Sequence, residues 1–183
     1  CIRDSYNTIL ITAAFYLFFI TLRDFFHRKY RNLSQITAHF SFSILILSIL
    51  FNNIFSSEVI TNLKINETYQ AQNLKINFES IEQENKQNFK AIKGKFIVED
   101  QSGLIEVMQP ELRIYNQPNI VTSEADIKTN IFTDKFMTMN YVQNQDYFNI
   151  RYQVKPFMIW IWISTILLCL SGCLSLIRKK YEN

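Results

Sequence analysis

The sequence predicts a membrane protein in which three transmembrane helices carry a small antiparallel β domain, a sandwich or barrel, between the second helix and the third. Two observations predict this fold. Apolar residues concentrate in three stretches, each close to the ~20 residues that a spanning helix needs. Between the second stretch and the third, about a hundred residues change from helical periodicity to the period of two that is typical of half-buried strands.

The predicted boundaries divide the chain into four parts. They are residues 1–35 with the first span (Tyr6 to Leu22) and a basic loop, residues 36–55 with the second span, residues 56–155 with the β domain, and residues 156–183 with the third span (Phe157 to Ile177) and a basic tail.

The first span is rich in aromatic residues and carries no charge before Arg23 and Asp24, so no ion path is indicated there. His27 follows among basic residues, where a solvated or headgroup-level position is expected. The loop from Arg23 to Arg31 and the tail from Arg178 to Lys180 are both cationic. The positive-inside rule puts both on the cytoplasmic or matrix side, and the β domain on the other side. The net charge of +3 is small and the basic residues are not gathered on one soluble face, which argues against a nucleic-acid partner.

The second span contains one ionisable residue, His39. An imidazole inside a bilayer must find a partner on a neighbouring helix or bind a metal, because lipid offers neither donor nor acceptor. Gln35, Ser43 and Ile46 share its helical face. Three serines recur every seven residues on nearly the opposite face: Ser34, Ser41 and Ser48. Small hydroxyl residues favour close helix packing, so we expect both faces to pack on protein.

The β domain is predicted from apolar residues that alternate with polar ones, in runs such as Leu63 and Ile65, Leu74 to Phe78, Phe96 and Val98, Ile105 and Val107, and Phe148 to Val154. Turn residues separate these runs near Asn66, Glu84, Asp100 and Asn116, and about seven strands are expected. The clusters Pro110 to Tyr115 and Ser123 to Asp126 contain carboxylates. We interpret them as surface charges that form local ion pairs, because the domain has no histidine, cysteine or glycine-rich loop.

The third span begins at Pro156, a residue suited to the first turn of a helix, and Trp160 and Trp162 follow at the depth of an interfacial aromatic belt. Cys169 and Cys173 lie four residues apart in this span. We interpret them as small residues at a helix interface rather than as metal ligands or a disulfide.

Four segments, taken in order, carry a family resemblance: Thr37-Ala-His-Phe-Ser-Phe in a span, then Pro110-Glu-Leu-Arg-Ile-Tyr and Ser123-Glu-Ala-Asp-Ile in the β domain, and then Tyr147 to Trp162 at the last span. This ordered set resembles the C-terminal part of the CcmF/NrfE haem lyases of cytochrome c maturation. The resemblance covers essentially the whole chain. It departs from the family pattern where Phe40 replaces the glycine that usually follows the histidine.

The resemblance implies that His39 is one of two axial ligands to a permanently bound haem b and passes an electron toward the haem being attached. The family's other histidines and its tryptophan-rich segment are absent from this chain, so a partner chain would have to supply them, and this chain would not be a lyase by itself. Expected partners are that chain, apocytochrome c, haem-delivery proteins and the lipid bilayer.

The composition, rich in Ile, Asn, Lys, Phe and Tyr, is what AT-rich codons produce and hints at an organellar gene. We therefore expect a split lyase in the mitochondrial inner membrane, with the β domain in the intermembrane space and the basic segments in the matrix. A second hypothesis is a non-catalytic subunit of a larger inner-membrane complex such as a respiratory complex, in which His39 only bonds to a neighbouring helix. A receptor or transporter subunit is a weaker third, because no span contains an acidic residue or a broken helix.

Overall fold

The computed structural model describes residues 2–27, 33–71, 74–100, 103–142 and 146–182, and for residues 2–7, 25, 27 and 177–182 it describes the backbone alone. Part of the predicted basic loop, the His27 side chain and the side chains of the basic tail therefore lie outside the described set. The chain divides into a helical unit (residues 1–56, 130–133 and 155–183) and a β unit (residues 57–129 and 134–154).

The helical unit contains three helices at the positions of the three predicted spans. They are α1 (Ile2–His27), α2 (Leu33–Phe55) and α3 (Met158–Glu182), and α2 packs against both of the others. Two of them, α2 and the Met158–Leu176 part of α3, are long and apolar enough to cross a membrane, with mean hydropathies of 1.7 and 2.0. Among the described residues α1 does not meet that criterion, so its crossing of the membrane stays a prediction.

The β unit contains ten strands among the described residues, rather than about seven. They are β1 (Ser57–Leu63), β2 (Thr68–Ala71), β3 (Leu74–Asn85), β4 (Phe89–Asp100), β5 (Ile105–Met108), β6 (Glu111–Tyr115), β7 (Val121–Glu124), β8 (Asp126–Thr129), β9 (Thr133–Tyr141) and β10 (Phe148–Pro156). One sheet has the order β1-β10-β9-β8. The other has the order β2-β3-β4-β6-β7, with β5 also paired to β4.

The core of the β unit consists of the inward-facing side chains of both sheets. Its buried members are Leu63, Ile76, Phe78, Phe96, Val98, Met108, Leu112, Met137, Met139, Ile150 and Tyr152. Phe78 of β3 lies opposite Phe96 of β4, and their rings stack with centroids 4.3 Å apart. Both rings are fully buried, and burial of a side chain of this size stabilises the fold by about 1.5–3 kcal/mol. The predicted antiparallel β-sandwich is thus confirmed.

The prediction was wrong about the inward face of β5. Ile105 and Val107 are exposed, and Met108 is buried instead. Glu106 turns inward with Met108 because Lys135 of β9 neutralises it, with Nζ 2.8 Å from the Glu106 carboxylate. The alternation of apolar residues could not reveal this charge pair. Ile65 is also exposed, because it lies in the turn before Asn66, whose φ is 65°.

The ends of the β unit lie side by side, because β1 and β10 pair antiparallel with Ser57 opposite Val154. Pro156 is the last residue of β10 and does not open the helix as predicted. Phe157 makes the turn with a φ of 60°, and its N–H donates to the Phe132 carbonyl at 2.7 Å. The helix α3 then begins at Met158.

Candidate functional site

The serine face of α2 packs closely on α3, as the seven-residue spacing predicted. The Ser34 hydroxyl donates to the Ser171 carbonyl at 2.7 Å, and Ser41 and Ser48 are buried. On the α3 side, Ser164 and Ser171 are buried as well. Small residues on both helices let the two backbones approach closely. The hydroxyls of Ser41, Ser164 and Ser171 donate hydrogen bonds to backbone carbonyls of their own helices.

The face of α2 that carries His39 is only partly covered within this chain. Ser43 is buried, but His39 and Gln35 are exposed. The expectation that His39 is sequestered by protein is therefore not met by α1 and α3. A group that covers the exposed side of this imidazole has to come from outside the described part of the chain.

The His39 side chain lies on a cleft of about 210 Å³ between α1 and α2. The walls are partly apolar, formed by Leu17, Ile20 and Ile36, and partly polar. Three polar side chains share the cleft with His39: Thr21 and Asp24 of α1, and Gln35 of α2. The single imidazole of the span and Asp24, the only carboxylate among the lining residues, thus line the same cleft.

The two polar residues that α1 contributes to the cleft, Thr21 and Asp24, each contact a neighbouring residue of α1. The Thr21 hydroxyl donates to the carbonyls of Leu17 and Phe18, both at 2.9 Å, within its own helix. Asp24 Oδ1 lies 3.5 Å from the guanidinium of Arg23, and the Asp24 side chain is 27% exposed. Asp24 is therefore accessible from the cleft and lies beside a cation near the end of α1.

A second group of ionisable residues lies on the β unit, where its members form ion pairs between neighbouring strands. Lys93 of β4 contacts Glu84 of β3 at 3.1 Å and Glu111 of β6 at 3.4 Å. Arg113 contacts Glu111 at 3.1 Å and Glu124 of β7 at 3.9 Å. Hydrogen bonds to Tyr115 and to Glu111 raise the pKa of Arg113, and the hydrogen bond from Lys93 lowers the pKa of Glu84.

This network confirms the predicted local ion pairs, because Glu111, the first residue of β6, contacts Arg113 of the same strand. Asp126 of the second predicted cluster accepts a hydrogen bond from the Gln109 N–H at 2.7 Å, so it also serves the fold. Every charge in the network faces an opposite charge. The arrangement stabilises strand pairing and supplies no poised acid or base.

The described residues contain no group of three or more His, Cys, Asp or Glu side chains that could hold a metal ion. Cys169 and Cys173 are free and exposed on α3, so within this chain they do not lie at the helix interface that the sequence predicted. A bare metal ion thus has no ligand set in this part of the chain. A haem needs less from the protein, because its four pyrrole nitrogens already hold the iron and only axial ligands are missing.

Comparison with known proteins identifies the family. The profile described as the CcmF C-terminal beta-sandwich matches residues 54–156. The chain belongs to the CcmF C-terminal family. Among CcmF relatives, the cytochrome c-type biogenesis protein Ccl1 of Rhodobacter capsulatus is 29% identical over 66% of this chain and 18% of its own length. CcmF of Haemophilus influenzae is 24% identical over 88% of this chain and 26% of its own length.

A solved structure of the cytochrome c haem lyase CcmF has the same fold, with a TM-score of 0.62, 15% sequence identity, and coverage of 85% of this chain and 27% of that chain. The chain therefore spans between about a fifth and a quarter of the length of these CcmF proteins. The resemblance drawn from the ordered motifs is confirmed at the level of the family. The split into two chains and the mitochondrial origin stay predictions.

Asp24 is the residue of the cleft that the sequence did not single out. It precedes His39 by fifteen positions and follows the first span, where a charge is ordinary. Only the crossing of α1 and α2 brings it to the same cleft. The one signal in the sequence was that Asp24 is the first acidic residue after an uncharged span, and that signal indicates no partner.

Proposed function

We propose that this chain is the C-terminal component of a membrane haem lyase for cytochrome c maturation, and that His39 is one axial ligand of a haem b whose second ligand is a histidine of a partner chain. Family membership supports the role in cytochrome c maturation. The placement in the mitochondrial inner membrane belongs to the same proposal.

The observation that carries the ligand role is the exposed imidazole of His39 on an apolar helix. A neutral imidazole is a common axial ligand of haem iron. One face of α2 packs on α3, while the face with His39 stays open beside a cleft, so a flat cofactor or a partner helix has access to the ring. Leu17, Ile20 and Ile36 would offer apolar contact to a bound haem. When bound, a b-type haem carries one electron by changing between its ferric and ferrous forms.

The orientation of the β unit follows from the same proposal. The unit is inserted between α2 and α3, and β1 and β10 bring its two ends together. If α2 and α3 both cross the bilayer, the β unit lies on the side opposite to the basic tail, on the intermembrane-space side. Apocytochrome c and haem-delivery proteins are then its expected partners.

The ligand role is tested by the optical spectrum of the assembly purified from membranes. We expect His39→Ala to abolish the Soret band of the b-type haem, and imidazole added to the His39→Gly assembly to restore it in part. The chain has two histidines, so His27→Ala is the matched control and should leave the band unchanged.

A Soret band that persists in His39→Ala at full intensity would overturn the ligand role. If that assembly also copurifies with a respiratory complex in fixed stoichiometry and without haem-delivery proteins, the chain is a structural subunit. The two outcomes differ in both spectrum and composition, so one preparation distinguishes them.

A further inference from the structure

We propose that Asp24 is a positioning residue for His39, and that its carboxylate accepts a hydrogen bond from the imidazole nitrogen that does not bind the haem iron. This inference rests on the proposed function, because it concerns how the ligand is held. It adds a residue of α1 to a site that the sequence places on α2 alone.

The bound imidazole requires a hydrogen-bond acceptor. A ring that binds iron through one nitrogen carries a proton on the other, and an acceptor for that proton fixes both the tautomer and the orientation of the ring. Inside a bilayer, water does not supply the acceptor. Within this chain, the residues that can supply the acceptor line the cleft on which His39 lies.

The cleft offers three candidates, Thr21, Gln35 and Asp24. Thr21 has its hydroxyl proton on backbone carbonyls, and a neutral hydroxyl is a weaker acceptor than a carboxylate. Gln35 lies four residues before His39 on the same helix and offers a neutral amide oxygen. Asp24 offers a charged carboxylate from the facing helix.

The ion pair with Arg23 does not prevent this role. Arg23 contacts Asp24 through Oδ1, and a carboxylate accepts hydrogen bonds through two oxygens. The neighbouring cation also offsets the negative charge at the edge of the bilayer. A charge-assisted bond to Asp24 would therefore be stronger than a bond to either neutral candidate.

Two properties of the bound haem report this bond. A carboxylate partner makes the imidazole a better donor to iron and favours the ferric form, so its loss moves the reduction potential to more positive values. Loss of such an outer partner also lowers the affinity of a metal site about 10- to 100-fold. Neither property depends on lyase activity.

The test compares variants of the full assembly. We expect Asp24→Asn to raise the reduction potential and to speed haem transfer to apomyoglobin about 10- to 100-fold. Asp24→Glu, which keeps the charge, should restore most of both values. Gln35→Met is the matched control in the same cleft and should change neither.

Each alternative outcome has its own signature. If His39→Ala removes the haem but Asp24→Asn leaves potential and transfer rate unchanged, this inference fails and the proposed function stands. The inference also fails if Gln35→Met causes the shift, or if Asp24→Asn and Asp24→Glu both lower the yield of assembly equally, which marks a purely structural role. If His39→Ala keeps its haem, the proposed function fails first.

Discussion

Gly94 lies in the middle of β4, where a side chain has no room. A Cβ at this position would lie 2.6 Å from Phe96 Cε2 and 2.8 Å from Met139 Sδ. Phe96 and Met139 are both fully buried, so neither can move without disturbing the core. We expect Gly94→Ala to destabilise the β unit by about 1–3 kcal/mol, the usual range for overpacking.

That loss is measurable by amide hydrogen exchange in the full chain. Amides of β4 that exchange only by unfolding of the β unit should exchange about 5- to 150-fold faster, since ~1.4 kcal/mol is a factor of ten. Gln70→Ala, at an exposed position on β2, is the control and should leave the rates unchanged. Unchanged rates in Gly94→Ala would contradict the close packing around this glycine.

The candidate site was predictable in part at this scale. His39 stood out because an ionisable residue in an apolar span requires a partner, and the structure places it beside a cleft. Its exposure and the proximity of Asp24 were not predictable. Both depend on which faces of α2 are covered by α1 and α3. The periodicity of the sequence does not show which helix packs on which face.

At the scale of elements, the serine-lined contact between α2 and α3 predicts that a larger side chain there weakens the packing of the two helices. Ser164 is fully buried, whereas Ser175, three turns further along α3, is exposed. We expect Ser164→Leu to weaken packing of α3 on α2 by about 1–3 kcal/mol, because the larger side chain forces the helices apart.

The matched control is Ser175→Leu, the same substitution on the same helix. Thermal unfolding of the full chain in detergent, followed by circular dichroism of the helices, should show a lower midpoint for Ser164→Leu alone. Equal midpoints for the two variants would mean that small residues at this contact do not determine the packing.

The elements themselves were predicted with uneven success. The helices and the strands around Phe78, Phe96 and Ile150 followed from long periodic runs. The strand β9 was missed because two adjacent apolar residues, Phe136 and Met137, interrupt the alternation of apolar and polar residues. The face of β5 was inverted because Glu106 is stabilised by Lys135, a residue 29 positions away. Two residues so far apart in the sequence are brought together only by the tertiary fold.

At the scale of the whole molecule, the β unit is built as an insertion between two helices. Its ends meet where Ser57 pairs with Val154, and its core residues come from its own two sheets. The segment 130–133 is grouped with the helical unit, and it carries the exposed side chains of Ile131 and Phe132. A domain with its own core and adjacent ends satisfies the conditions for independent folding.

We therefore expect residues 56–155, expressed without the helices and with Phe132→Ser to limit association, to fold as a soluble β domain. Urea should unfold it in one cooperative transition with a stability of about 5–15 kcal/mol, as for single domains of this size. Phe78→Ala in the same fragment should lower that stability by about 3–5 kcal/mol, because the ring is fully buried and stacks on Phe96. A fragment that binds hydrophobic dyes and unfolds without a cooperative transition would show that the β unit needs its helices to fold.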